Sequence, residues 1–374
     1  MAKLRVGVLF GGRSVEHAIS LLSARSVMRA LDPSKYEVVP IGITDTGKWL
    51  PPGEAAGLLE SGSPSQEQEG ALQTAASNLT SLIVSERPLS QLPPVDVIFP
   101  VLHGTFGEDG TVQGLLEMAD LPYVGGGVLS SALGMDKAMM KRVFRDAGLP
   151  VVEMVTVTRR DWGARPQTVA EEVARALGYP CFVKPSNGGS SIGISKVHTP
   201  EELGPALQAA LLLDRKVLVE EAILGRELEC SVLGNDDPVA SAVGEVVPAR
   251  EFYDYEAKYR DERTQLIVPA PIAPELSAQV RELACCAFRA VDGSGMARVD
   301  FFLRSSDNKL YVNEINTIPG FTQVSMYPKM WEATGLSYPE LLDRLIELAL
   351  ERHAEKKQTW YNYANFQQQG REGL

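Results

Sequence analysis

The sequence predicts an α/β protein of two or three domains, the first built on a doubly wound parallel sheet. Three observations predict it. The chain opens with LRVGVLF, a glycine turn, a helical stretch (SVEHAISLLSARSVMRAL) and the strand EVVPIGI, which is the βαβ start of an open sheet. Strand and helix patterns then alternate along most of the 374 residues, enough chain for two or three domains. Near the C-terminal end, RVDFFLRSSDNKLYVNEIN alternates apolar and polar residues, turns at SSDN and alternates again, as a β-hairpin does.

Composition narrows the function classes. A formal net charge of −12 with no long basic run excludes general nucleic-acid binding, and it leaves open a small phosphate ligand that needs only local positive charge. No apolar run approaches the ~20 residues of a membrane span. The apolar core of MAKLRVGVLFGG is too short for a signal peptide. Four cysteines without CxxC spacing point to reduced thiols, hence to the cytoplasm.

In the first unit, Ile19, Leu22 and Val27 are among the apolar positions of the opening helix, and Glu16 falls at its start. There the carboxylate either meets a ligand ammonium or complements the helix dipole, two readings of equal weight. The dinucleotide signature GxGxxG is absent. Residues 51–94, rich in Pro, Gly, Ser and Gln, read as a surface excursion without chemistry, with LTSLIVS as a possible short strand. In VIFPVLHGTFGEDG, His103 follows a strand end in a glycine-bounded loop, where open sheets bind ligands; a structural histidine competes at even odds.

MDKAMMKRVFRDAGLP is a helix with Lys137 and Lys141 on one face. KPSNGGSSIG, between two strands, offers Lys184 and the donors of Gly188–Gly193 as a flap over phosphates, or is an ordinary flexible hairpin; it is not a GxxxxGK[ST] loop. Glu220, Glu221 and Glu227 bracket a connector whose backbone could meet an adenine edge, with Glu227 at ribose hydroxyls; the competing reading is a plain interdomain crossing. EFYDYEAKYRDERTQLIVPAP is long enough to act as a lid. After the hairpin come a loop and two helices that close the last domain, and residues 354–374 form a polar tail that frays.

The hairpin carries the chemistry. Arg298, Asp300 and Phe302 share a face of its first strand; Leu310, Val312, Glu314 and Asn316 share a face of its second. A connecting loop of odd length, 305–309, sets Asp300 opposite Glu314 and Arg298 opposite Asn316. Asp300, Glu314 and Asn316 then converge as hard oxygen donors of the kind Mg²⁺ takes beside nucleotide phosphates, the alternative being a solvated face. A histidine-based metal hydrolase is excluded, since His17, His103, His198 and His353 lie far apart in the chain.

In this order, LFGGRSVEHAIS, HGTFGEDGTVQG, GMDKAMMK, VKPSNGGSSIG, EFYDYEAKY, ARVDFFL and NEINTIPGFTQVSMYP resemble the ATP-grasp superfamily, and within it the D-alanine–D-alanine ligase family, over residues 8 to 328. The resemblance implies that an ATP-grasp pair of domains follows the first sheet, with domains at 1–128, 129–219 and 220–353. It implies ATP-dependent joining of two D-alanines through a D-alanyl phosphate, for peptidoglycan precursor synthesis. By the same resemblance Asp300, Glu314 and Asn316 hold Mg²⁺ or Mn²⁺, one ion or two. Lys137 and Lys184 meet the nucleotide phosphates, and Glu220, Glu221, Ala222 and Ile223 form the adenine hinge. Glu227 takes the ribose, and Lys258 reaches the transferring phosphate.

Arg298 and the N–H of Gly320 are implied to stabilise the oxyanion. Glu16, supported by Ser190 and Tyr259, binds the first D-alanine ammonium, near His103. Ser325 and Met326 lie where the second carboxylate is held. The residue removing the amine proton stays open. Tyr259 in EAKY favours a dipeptide over a D-alanyl-D-lactate product. Family habit makes a homodimer the expectation. The rivals are a D-alanyl-D-lactate or D-alanyl-D-serine ligase and a non-catalytic ATP-binding relative.

Overall fold

The computed structural model describes residues 2–50, 52–61, 94–248 and 264–359, arranged around three sheets. In the first, β1 (Leu4–Gly11) lies between β2 (Tyr36–Ile43) and β4 (Val97–Pro100), parallel to both, and the short β3 (Trp49–Leu50) pairs antiparallel at the edge. The near-continuous apolar run of β1 suits a strand covered on both faces. Val6, Val8 and Phe10 pack with α1 (His17–Ala30), while Leu9, Ile41 and Ile98 face α3 (Thr111–Met118). At the carboxyl end of β1 the chain turns through Gly11 and Gly12, both at positive φ; a Cβ on Gly11 would lie 2.0 Å from the Ile43 carbonyl oxygen. That turn delivers Glu16 to the head of α1.

Part of the expected surface excursion is core. Residues Pro52–Ser61 form helix α2, which buries Ala55 and Leu58 against the first sheet. Its proline in the first turn followed by Glu54 is a helix start, hidden in a Pro/Gly-rich context. LTSLIVS lies outside the described residues.

The second sheet is antiparallel, in the order β5 (Met154–Thr158), β8 (Lys216–Glu221), β6 (Cys181–Pro185), β7 (Ser195–Val197). Val183 and Val219 face a core closed by Val173 and Leu207, from helices at 166–176 and 200–213; Phe182, Lys184 and Glu220 face the other way. The third sheet, also antiparallel, runs β11 (Gln265–Ile267), β10 (Val239–Val247), β9 (Gly225–Gly234), β12 (Gly295–Arg304), β13 (Leu310–Asn316). Its apolar face packs on the helix Pro274–Ala290 and on Met140 and Phe144 of the helix Lys137–Asp146. The polar faces of the second and third sheets line one cleft.

The last helix, Tyr338–Lys356, does more than close the third unit. Leu341, Leu342 and Leu345 pack in one cluster with Val8 and Phe99 of the first sheet and with Leu233 and Met296 of the third, sealing the seam between them. It stays helical through Lys356, past the expected start of fraying at 354, with Arg352 bonded to the Tyr123 carbonyl; residues from 360 lie outside the described set. No helix among the described residues is long and apolar enough to cross a membrane.

Candidate active site

The hairpin register is the expected one at its open end: Arg298 opposes Asn316 and Asp300 opposes Glu314. The expectation that Leu310, Val312, Glu314 and Asn316 share one face is corrected. The register shifts beyond Asp300, leaving Asn313 as an extra residue, and such a bulge inverts the alternation. Leu310 and Val312 therefore join the core, whereas Glu314 lines the cleft and Asn316 the cavities beside it. One irregularity keeps the distal half of β13 apolar-inward and turns the chemical residues outward.

On that outward face the charges interlock. Arg298 forms a two-pronged pair with Asp300, Nε to Oδ1 at 2.6 Å and Nη2 to Oδ2 at 2.7 Å, and Asn316 Nδ2 donates to Asp300 Oδ2 at 3.0 Å. Glu229 of β9 reaches the same guanidinium at 3.1 Å. Burial alone would lower the Arg298 pKa; the Asp300 and Glu229 carboxylates hold it above its ordinary value. Lys137 bridges Glu314 (3.1 Å) and the Gly188 carbonyl of the flap (2.9 Å). Two carboxylates and an amide in adjacent register, each facing a cationic side chain or its neighbour, make an oxygen set that suits a hard divalent cation.

Across the cleft, Lys184 pairs with Glu220 (2.6 Å), and Glu220 pairs also with the buried Lys141 (2.7 Å). Burial pushes the Glu220 carboxyl up, but the two ammonium groups outweigh it and hold it well below the usual carboxylate range. The Glu220 side chain is thus committed, and the backbone N–H groups of Glu221 and Ala222 donate to the Glu153 and Pro180 carbonyls. Glu221, Ala222, Ile223 and Glu227 line the same cavity of about 270 Å³, together with Asp300 and Glu314.

A larger cavity, about 900 Å³, is bounded by Glu16, His103, Ser190, Arg298, Gly320 and Ser325, with Met326 also on its wall. Glu16 is the N-cap residue of α1 and makes no side-chain capping bond. Instead Ser190 of the flap donates to its Oε1, while its Oε2 is buried without a hydrogen-bond partner among the described residues. A buried carboxylate oxygen without a partner among the described residues, on a residue that lines a cavity, favours the ammonium reading over the dipole one. Flap residues Ser190 and Ser191 both sit at positive φ, a conformation their side chains disfavour. Gly189 has no room for a side chain, since a Cβ there would stand 2.6 Å from Glu16 Oε2.

His103 is buried, and its two ring nitrogens have protein partners, Ser23 Oγ and the Ile318 carbonyl, both at 3.1 Å. Burial lowers its pKa, so a neutral ring bridges the first sheet to the loop after β13. Ser325 occupies the N-cap position of the helix Met326–Glu332 without a side-chain capping bond; its hydroxyl accepts from the Thr322 N–H and pairs with the Thr322 hydroxyl. Lys258 and Tyr259 lie outside the described residues.

Three participants were not singled out from sequence. Glu229 sits two residues beyond Glu227 on the same face of β9, and that period of two is the signal that could have found it. In the sequence Lys141 stands out only by sharing a helix face with Lys137. Glu108, in the GEDG of the His103 loop, accepts from the Gly104 N–H at 2.9 Å and lines two adjoining cavities. Burial, and then the charge of Glu16, push its carboxyl up to about 8.

A cleft between two antiparallel sheets, lysines on one wall and carboxylates on the other, opening onto a cavity at the edge of a parallel sheet: fold and site together define an ATP-grasp enzyme. Comparison with known proteins then narrows the class. The family "D-ala D-ala ligase N-terminus" matches residues 5–126 and "D-ala D-ala ligase C-terminus" residues 143–347. A D-alanine–D-alanine ligase of Geobacillus kaustophilus is 50% identical over 367 residues, covering 96% of this chain and 98% of its own. One from a Thermoanaerobacter species is 50% identical over 361 residues, covering 96% and 100%. Among solved structures, the D-alanine–D-alanine ligase of Coxiella burnetii superposes with a TM-score of 0.80 at 38% identity, covering 96% of this chain and 97% of that one. The VanG D-Ala:D-Ser ligase of Enterococcus faecalis superposes with a TM-score of 0.78 at 36% identity, covering 93% and 100%. The chain belongs to the D-alanine–D-alanine ligase family.

Proposed function

We propose that this chain uses ATP to join two D-alanines, releasing ADP and phosphate, and so supplies the dipeptide for peptidoglycan precursors. In the first step a carboxylate oxygen of one D-alanine attacks the γ-phosphorus of ATP and ADP leaves. In the second, the uncharged amine of the other D-alanine attacks the acyl phosphate carbon; the tetrahedral oxyanion collapses and expels phosphate, and the amine proton passes to solvent. The observation that carries this reading is Glu16, whose buried Oε2 has no hydrogen-bond partner among the described residues, on the wall of the same cavity as Arg298. An amino acid needs just such a pair of opposite charges, one for each end.

Each residue's part follows from its place. Glu16 takes the ammonium of the first D-alanine, with Ser190 holding the flap against it and Tyr259 completing the link; His103 shapes the pocket. Arg298 and the Gly320 N–H face the oxyanion, a role suited to oriented donors in a site closed to water. Ser325 and Met326 receive the second D-alanine. Lys137, Lys184 and Lys258 meet the phosphates, residues 220–223 the adenine and Glu227 the ribose. The family requires a divalent metal; Asp300, Glu314 and Asn316 would hold it as Mg²⁺ or Mn²⁺, one ion or two, and when bound it neutralises phosphate charge during transfer. Domains at 1–128, 129–219 and 220–353, assembled as a cytoplasmic homodimer, complete the reading.

The test is phosphate release from protein, ATP and Mg²⁺ with D-alanine and L-alanine side by side, followed by product analysis with D-lactate or D-serine added. Release with D-alanine alone, giving the dipeptide, is the expected result. Turnover that requires D-lactate or D-serine, or no turnover at all, would overturn it.

A further inference from the structure

Lys141 is a charged residue for which the reaction above has no use. It is 1% exposed, fully sealed from both cavities, and projects from the helix Lys137–Asp146 one turn after Lys137. That helix packs its apolar side, Met140 and Phe144, on the third sheet, while Lys141 reaches across to Glu220 at the end of β8 in the second. Its ammonium meets Glu220 Oε1 at 2.7 Å; the other oxygen of the same carboxylate, Oε2, holds Lys184 at 2.6 Å. A buried ammonium is costly to fold, and an apolar side chain would fill the same space without that cost.

The arithmetic of charge supplies a reason. Glu220 and Lys184 alone would form a neutral buried pair, and Lys184 would have to leave an unpaired buried carboxylate behind to meet a phosphate. With Lys141 present the triad carries one net positive charge, and Glu220 keeps a partner when Lys184 turns toward the cleft that it lines. We propose that Lys141 is a positioning residue for the nucleotide: by pairing with Glu220 from behind, it keeps Lys184 free to bind phosphate oxygens. This rests on the reading of the cleft as the nucleotide site.

The measurement is binding of ADP and of adenosine, each with Mg²⁺ and without D-alanine, to the full chain and to Lys141→Met, Lys141→Arg and the double variant Lys141→Met/Glu220→Gln. Lys141→Met is expected to weaken ADP at least tenfold and adenosine less than threefold, because the loss is exerted through a phosphate contact. Lys141→Arg, which keeps the charge, should bind ADP within about threefold of the unaltered chain. The double variant removes the carboxylate that captures Lys184, keeps the volume, and should regain most of the ADP affinity; it also stands in if the single variant fails to fold. Unchanged ADP binding in Lys141→Met, equal loss of ADP and adenosine, or a double variant as weak as the single one would overturn the proposal. Because the readout is ADP binding, a protein that binds ADP yet does not turn over D-alanine would refute the proposed function and leave this inference standing.

Discussion

Replacing Glu16 by Gln tests the amino-acid pocket with little collateral change. The amide has the volume of the carboxylate and retains an oxygen for the Ser190 hydroxyl, so the flap keeps its tether. What disappears is the negative charge at Oε2, the buried oxygen without a hydrogen-bond partner among the described residues. With the amide oxygen kept by Ser190, the place of Oε2 passes to an NH₂ group, a donor that cannot accept from an ammonium. Such a change is worth about 2–3 kcal/mol in a water-poor site, or about a 30- to 150-fold loss. We expect the loss in kcat/KM for D-alanine, measured by phosphate release at saturating ATP, with KM for ATP within about twofold of the unaltered enzyme. Ser190→Ala, which keeps the charge and removes the tether, should cost about 1–2 kcal/mol. A Glu16→Gln enzyme whose kcat/KM for D-alanine stays within threefold would refute the ammonium role and return Glu16 to the helix dipole.

Asp300→Ala and Glu314→Ala should each abolish D-alanine-dependent ADP release, followed by coupled assay across a Mg²⁺ titration; near-normal turnover in either would remove the metal assignment. Phe321→Ala should cost about 3–5 kcal/mol in urea unfolding, because the ring is fully buried among Phe99, Tyr327 and Tyr338 at centroid distances of 5.5 to 5.8 Å. Glu108 gives a pH signature. Its carboxyl, pushed up to about 8, keeps a proton in the folded chain that the unfolded chain has lost, so its contribution to stability falls as pH rises from the ordinary carboxylate range through about 8. Glu108→Gln removes that slope, and its melting temperature should gain on the unaltered protein steadily across this window; parallel curves would contradict the assignment.

How much of this was legible in the sequence depends on the distance over which each feature is decided. The βαβ opening is local: an apolar run, two glycines, then helical spacing, and the parallel pairing of Leu4–Gly11 with Tyr36–Ile43 follows. The expected pairing of Asp300 with Glu314 is present, but the odd loop that predicted it is not: Leu303 opposes Leu310, which leaves an even loop, and the extra residue Asn313 restores the pairing. Parity says nothing about where an extra residue can be absorbed, so the bulge at Asn313 and the inward turn of Leu310 and Val312 could not be read. The helix at 52–61 was hidden for a related reason. Its two core contacts, Ala55 and Leu58, are too few to outweigh glycine and proline in the composition, and only the sheet they meet makes them core.

Charge is the extreme case. Nothing local distinguishes Lys141 from a solvated lysine on an amphipathic helix, or Glu108 from any acid in a glycine loop. Lys141 acquires meaning from Glu220 on another sheet, Glu108 from Glu16 on another element, and Glu16 itself from Ser190, 174 residues away. Ordered motifs compensate in part, since a family carries its long-range pairings along with its local signatures, and that makes Glu16 and Lys184 legible in the sequence. Residues that act only through another side chain leave no such signature. A site read from sequence will therefore tend to contain the groups that touch ligand and to omit those, like Lys141 and Glu229, whose partners are the groups that do.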